Sequence, residues 1–395
     1  MSEVAQATHS SPDGHIPQLR FPGFSGVWRE NRLGNIARIF DGTHQTPKYV
    51  ENGIPFYSVE HITANQFDDT KYISEEVFER ENMRVKLERE DILMTRIGNI
   101  GMAKYIDWNV NASFYVSLAL IKKNESFNSK FLSQLIHSPN FQRQLWKRTI
   151  HVAFPQKINL GEIGKCESIL PTKPEQQKIA AFLTTVDNKI EQLSKKQELL
   201  GEYKKGLMQQ IFSQAIRFKA DDGSDFPDWK EKKLGSLCEI TTGKLDANAM
   251  VKDGQYRFYT CAKEYYKIDD YAFDTDALIV SGNGANVGYI HHYQGKFNAY
   301  QRTYVLDSFT DNIVFVKFVL DGYLHKRIMK EKNEGNTPYI VMGTLTDMKI
   351  NLPSFSEQTK ISNFLSSIDN KIEQVGKQLD ESKQFKKALL QQMFV

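Results

Sequence analysis

The feature that most narrows what this 395-residue chain can fold into is an internal repeat, because a repeated architecture settles the fold before any local motif does. An offset of 182 residues lays Glu175–Gln192 on Glu357–Gln374, with 12 of 18 positions identical. The match runs on without a gap, through Lys204–Lys205 against Lys386–Lys387, to Gln209–Phe212 against Gln391–Phe394. A second repeated piece opens each half. Trp28–Gly34 corresponds to Trp229–Gly235, preceded by Arg20-Phe21 and Arg217-Phe218. Between these shared ends lie two diverged middles, about residues 35 to 170 and 236 to 352.

The repeated C-terminal pieces read as long helices with a coiled-coil seam. Ile179, Leu183, Val186, Ile190, Leu193, Gln197, Leu200, Lys204, Leu207 and Ile211 alternate steps of four and three. Ile361, Leu365, Ile368, Ile372, Val375, Leu379, Ser382, Lys386, Leu389 and Met393 keep the same register. A helix of ~38 residues spans roughly 57 Å. A seam this long, present twice, favours mutual pairing over a surface helix packed on its own domain. Its polar members, Lys204, Lys386, Gln197 and Ser382, penalise wrong registers. Each helix follows a Leu-Pro pair and opens with a capping-box pattern, Thr172–Glu175 and Ser354–Glu357.

Inside the middles, Asp91–Thr95, Tyr115–Ile121 and Asp276–Val280 read as strands, and stretches near 129 to 147 and 312 to 331 as helices. The expected fold is α+β: two pseudo-repeated α/β domains separated by two long antiparallel coiled-coil helices. Its segments are a flexible tail at 1–16, a domain at 17–170, a central helix at 171–213, a second domain at 214–352 and a C-terminal helix at 353–395.

Charge excludes little. With 51 Lys and Arg against 48 Asp and Glu, the net of +3 requires any nucleic-acid surface to be local. Cys166, Cys238 and Cys261 have neither a CxxC pairing nor a histidine at zinc spacing, which fits a reducing cytoplasm and argues against a metal. The longest apolar run, Ile313–Leu320, contains Lys317 and falls far short of the ~18 residues of a membrane span. Residues 1–15 lack the apolar centre of a secretion signal.

The usual catalytic patterns are missing: there is no GxxxxGK[ST], no HExxH, and no Asn/Asp-Pro-Pro-aromatic segment. Asp228, Glu231 and Lys233 caricature a metal-dependent nuclease, but they crowd into the repeated Trp-to-Leu-Gly piece. The glycine loop Ser281–Gly288 is either a turn that simply requires positive φ, a turn that also presents Asn283 and Asn286 to a nucleic acid, or a cofactor cradle. Its counterpart, Arg96–Gly101, offers Arg96 and Asn99.

Between Glu125 and Glu162 there is no acid, while Lys130, Arg143, Lys147, Arg148, His151 and Lys157 accumulate. The same offset lays Arg143–Arg148 on His325–Lys330, within a second cluster of Lys317, His325, Lys326, Arg327, Lys330 and Lys332. Two such copies favour phosphate contact over a merely solvated face, with Arg, Asn, Gln and His nearby for base edges. The candidate DNA contacts in the first half are Arg96, Asn99, Arg143, Lys147, Arg148, His151, Gln156 and Lys157. Those in the second are Asn283, Asn286, Arg302, Lys326, Arg327, Lys330, Asn336 and Tyr339.

From about residue 17 onward the chain resembles the DNA specificity subunit of type I restriction-modification systems. The resemblance rests on Leu19–Trp28 followed by Leu33-Gly34, on Asp91–Gly101, on Pro155–Asn159 ahead of Leu170-Pro171, and on Glu175–Ala180. It implies two target-recognition domains, each reading one half of an asymmetric bipartite site in double-stranded DNA, with the helices setting the gap. It also implies a non-catalytic cytoplasmic subunit, without a cofactor of its own and away from membranes. Its partners would be two methyltransferase subunits and two restriction subunits, which supply the S-adenosylmethionine, ATP and Mg chemistry. Two other readings compete: an unusual methyltransferase using the 281–288 loop, and a coiled-coil scaffold that does not bind DNA.

Overall fold

The computed structural model describes residues 15–331 and 338–395, so the expected tail lies outside the described residues except for His15 and Ile16. The two repeated pieces are helices of 40 and 38 residues, Lys173–Phe212 and Phe355–Gln392. Every seam position in both helices is buried or half-buried, as the alternating spacing requires. The chain packs as two compact units, one running up to Ser194 and taking in Lys377–Val395, the other Lys195–Gly376. Each long helix is therefore shared between the units, and the first unit is built from two separate stretches of sequence while the second is continuous.

The repeated end pieces are explained by what they touch. In the first unit Trp28 meets Phe131 and Phe394 edge to face at ring-centroid distances of 6.0 and 6.5 Å, and those two rings lie tilted against each other at 5.3 Å, in a core with Ile179, Leu183, Leu389 and Met393. In the second unit Phe315 takes the middle place of the equivalent trio, 6.1 Å from Trp229 and 5.9 Å from Phe212. Its core includes Ile211, Ile361, Leu365 and Ile368.

Glu175 and Glu357, expected to close capping boxes, do something else. Arg20 Nε and Nη2 donate to the two carboxylate oxygens of Glu175 at 2.7 and 2.8 Å, and Arg217 grips Glu357 likewise at 3.3 and 2.8 Å. Only Ser354 Oγ keeps its capping role, accepting from Glu357 N. A buried carboxylate gains more from a bidentate guanidinium than from a single helix N–H, which is why the arginine wins. The next residue repeats a second bond. Gln176 Oε1 accepts from Asn128 N and Gln358 Oε1 from Asn312 N, at 2.8 and 2.9 Å, tying each long helix to the cap of the helix that follows the sheet.

The sheets share one topology with one interruption. In the second unit six strands are ordered Glu239–Thr242, Thr303–Asp307, Phe273–Ser281, Ile290–Ala299, Tyr256–Tyr259, Tyr266–Ile268. Ile290–Ala299 pairs antiparallel on one side and parallel on the other. In the first unit the corresponding strand is broken into Ala103–Tyr105 and Ser113–Phe114 and an extra strand, Tyr49–Val50, pairs with Lys71–Ile73, so two four-stranded sheets replace one sheet of six. Gly42 and Gly243 sit at equivalent close approaches: a Cβ there would stand 2.0 Å from Phe114 O or Ala299 O.

The helix expected near 129 to 147 is two, Ser129–Ile136 and Pro139–Arg148. Pro139 has no N–H to continue the first helix, and Ser138, extended at ψ 148°, caps the second through Phe141 N. The second unit has no proline there, and Ile313–Glu331 runs unbroken.

Candidate nucleic-acid interface

In the first unit the turn between strands Ile92–Thr95 and Ala103–Tyr105 has Gly98 and Gly101 at φ of 80° and 89°. Gly98 N donates to Gln156 O at 2.8 Å, and Ile158 N to Arg96 O at 3.0 Å, so the loop 149–157 lies along this turn. Gln142 Nε2 donates to Gly101 O at 2.9 Å, bringing in the Pro139–Arg148 helix. These three elements enclose a cleft of roughly 410 Å³ lined in part by Asn99, Arg143, Trp146 and Gln156.

Three expected contact residues, Asn99, Arg143 and Gln156, thus share one cleft. Lys147, His151 and Lys157 are exposed around it, and Arg143, Lys147 and Lys157 have no carboxylate partner among the described residues. His151 Nε2 donates to Trp146 O, with its ring 4.8 Å from the indole.

Arg96 and Arg148 are placed differently. Arg96 is 9% exposed; its guanidinium donates to Ile158 O and Val116 O and lies 3.5 Å from Asp41. Burial raises the Asp41 carboxyl, but Arg84, His44 and Arg96 hold it below its usual value. Arg148 donates to Gln144 O and Lys165 O. Two exposed apolar groups went unanticipated. Trp146 is 67% exposed and Phe154, at the tip of the loop, 103%. Their position inside the acid-free stretch was the available signal.

The second unit repeats the frame. The hairpin turn after Phe273–Ser281 has Gly284 and Gly288 at φ 81°, and Ile340 N donates to Gly282 O as Ile158 N does to Arg96 O. Asn283 bridges to Tyr339, which is 55% exposed. Asn286 Nδ2 donates to Cys261 O at 3.1 Å, so this side chain braces the turn. Arg302, Lys326 and Lys330 are exposed. Arg327 donates to Asp347 O and Gly343 O, playing the part of Arg148, and pairs with Glu331. Asn336 lies outside the described residues.

In this loop the Gly282, Val287, Gly288 and Tyr289 N–H groups donate to carbonyls, so the flanks of the turn are closed by its own backbone. The nuclease caricature dissolves, since Glu231 pairs with Lys349 across a two-stranded ladder and Lys233 with Asp347 just before that ladder's second strand. Among the described residues no helix is long and apolar enough to cross a membrane.

Comparison with known proteins fits this doubled frame. The family model for the type I restriction modification DNA specificity domain matches residues 26–200 and again 227–382. The chain belongs to the type I specificity family. Over 168 residues it is 43% identical to the type I restriction enzyme EcoDI specificity subunit of Escherichia coli, a match covering 41% of this chain and 37% of that one. It is 26% identical to the MjaVIII specificity subunit of Methanocaldococcus jannaschii over 92% of this chain and 91% of the relative. The fold is shared with a type I S subunit from M. genitalium, with TM-score 0.67 and 17% identity over 96% of this chain and 99% of the other. A specificity chain is the non-catalytic member of such a system.

Proposed function

We propose that this chain reads DNA for a type I restriction-modification complex, each domain contacting one half of an asymmetric bipartite site. The observation that carries the reading is the doubled loop frame. The Ile158–Arg96 and Ile340–Gly282 bonds are equivalent, yet the side chains displayed around them differ. One frame holding two sets of side chains accounts for two unlike half-sites. Among the candidates, exposed Arg143, Lys147, Lys157, Lys326 and Lys330 are the phosphate contacts, and Asn99, Gln156, Asn283, Arg302 and Tyr339 face base edges. Arg96, Arg148, Asn286 and Arg327 hold the loops in place.

The two long helices pair antiparallel as the spacer and dock two methyltransferase subunits, around which two restriction subunits assemble in the cytoplasm. Two ion pairs support that register: Asp187 with Lys386 in one unit and Lys204 with Asp369 in the other. Going 17 residues forward along the central helix moves the partner 17 residues back, and the pairs exchange places under the sequence repeat. Each lysine is a polar seam residue with its counter-ion on the facing helix.

Co-expression with a cognate methyltransferase subunit in a methylation-free host, followed by single-molecule mapping of modified adenines, tests the reading. One split, asymmetric motif is expected. A stable complex with an active partner and no methylation would move the weight to a scaffold.

A further inference from the structure

Arg257 has unusual company. It lies on strand Tyr256–Tyr259, its guanidinium carbon 4.2 Å from the ring centre of Tyr293 and 4.4 Å from that of Tyr265. Nη1 donates to Tyr259 OH at 3.3 Å. No carboxylate pairs with it among the described residues. Two aromatic contacts and one phenol fix the group without neutralising it, leaving the edge of the fork as its remaining means of binding.

Strand pairing shows what the position means. In the second unit Phe258 and Tyr259 pair, parallel, with Asn298 and Ala299; in the first, Phe56 and Tyr57 pair, parallel, with Ser113 and Phe114. Phe56, Tyr57, Phe258 and Tyr259 are all buried frame residues. The residue before them is Pro55 in one domain and Arg257 in the other. A donor fork therefore stands where the sister domain has no donor. The cluster also adjoins the hairpin turn: the ring of Tyr259 is 4.8 Å from that of His291, and His291 is 4.9 Å from Tyr289, which follows Gly288.

We propose that Arg257, preset between Tyr265 and Tyr293, is a specificity-determining residue of the second domain, donating to the O6 and N7 edge of one guanine in the major groove. This deepens the DNA-reading function proposed above and rests on it.

The test is methylation mapping with the full chain in its methyltransferase complex, carrying Arg257→Ala or Arg257→Lys. A lysine keeps the charge and loses the fork. Both variants are expected to lose about 10- to 100-fold discrimination at one guanine of the second half-site, with the first half-site read as before. An unchanged motif in both variants, at whatever level of methylation, would overturn the assignment. Should either variant give too little methylation to map, its complex is titrated against duplexes substituted one base pair at a time through the second half-site. Disappearance of a single guanine's penalty supports the proposal, and a wild-type pattern of penalties refutes it. A wild-type complex with no bipartite motif would instead remove the underlying DNA-reading function, and this inference with it.

Discussion

Arg96 and Arg143 carry the same group and meet opposite surroundings. Arg96 is enclosed by two carbonyls and Asp41, while Arg143 borders an open cleft with no counter-ion among the described residues. Charge reversal should therefore separate them. Arg143→Glu or Lys147→Glu is expected to weaken DNA binding about equally for all sequences and to lower the slope of log affinity against log salt by about one, measured by anisotropy over a salt series. Arg96→Gln should instead lower the denaturant midpoint by orphaning Ile158 O and Val116 O, while Asp41 keeps Arg84 and His44. Titration behaviour is also set residue by residue. Burial pulls the imidazoles of His137 and His291 below their usual pKa, outweighing backbone bonds to Ala103 O and Ala262 O that act the other way. Their folded pKa values lie below the unfolded ones, so the unfolded chain takes up protons first. Stability is then full above about pH 6.5 and falls as pH drops from there toward the folded values, by at most about 1.4 kcal/mol per pH unit for each histidine. Urea midpoints from pH 8 to 5 should show the decline, and His137→Gln should make it shallower. A midpoint that rose on acidification would contradict the assignment.

Whole elements are held by bonds that sequence neighbours do not reveal. Glu175 is 1% exposed and its carboxylate is held by Arg20, 155 residues away. Arg20→Met leaves that charge buried and unpaired and is expected to cost about 3 kcal/mol. The double variant Arg20→Met with Glu175→Leu should recover most of it, as guanidinium unfolding of the four members of the cycle would show. The long helices were legible because their evidence is local: a period of four and three, written twice. The strands at 92–95 and 118–121 were legible for the same reason. What was not legible depends on distant partners. A glutamate three residues after Thr172 looks like a cap until Arg20 is folded onto it, and Arg96 looks like a contact residue until Asp41 arrives from a strand two places away in the sheet. The break at Pro139 was written in the sequence and masked by the apolar pattern running across it. Arg257 gave no local sign, because its place opposite Pro55 emerges only when the parallel pairings of two sheets are compared.

For the molecule as a whole, the question is whether the two readers are separable. Each compact unit has its own core and its own Trp–Phe–Phe cluster, and each closes its domain with a two-stranded ladder, Arg29–Arg32 with Glu167–Leu170 and Lys230–Lys233 with Lys349–Leu352. Exchanging residues 35–170 for the same segment of a family member with another specificity cuts the first domain where the chain is most tolerant. At one junction the host strand 29–32 pairs with a donor strand through backbone bonds, which are indifferent to side chains. At the other, the donor must bring an aromatic in place of Phe131 to meet Trp28 and Phe394, and a backbone N–H in place of that of Asn128 to meet Gln176. A donor meeting both conditions should fold, and its complex should methylate a motif in which one half-site is replaced while the other half-site and the spacer are retained, since the second domain and both helices are untouched. Adenine mapping of the chimaera decides the matter. Change in both half-sites would mean that the domains read jointly. An unaltered motif would mean that the residues around the first cleft do not face DNA at all.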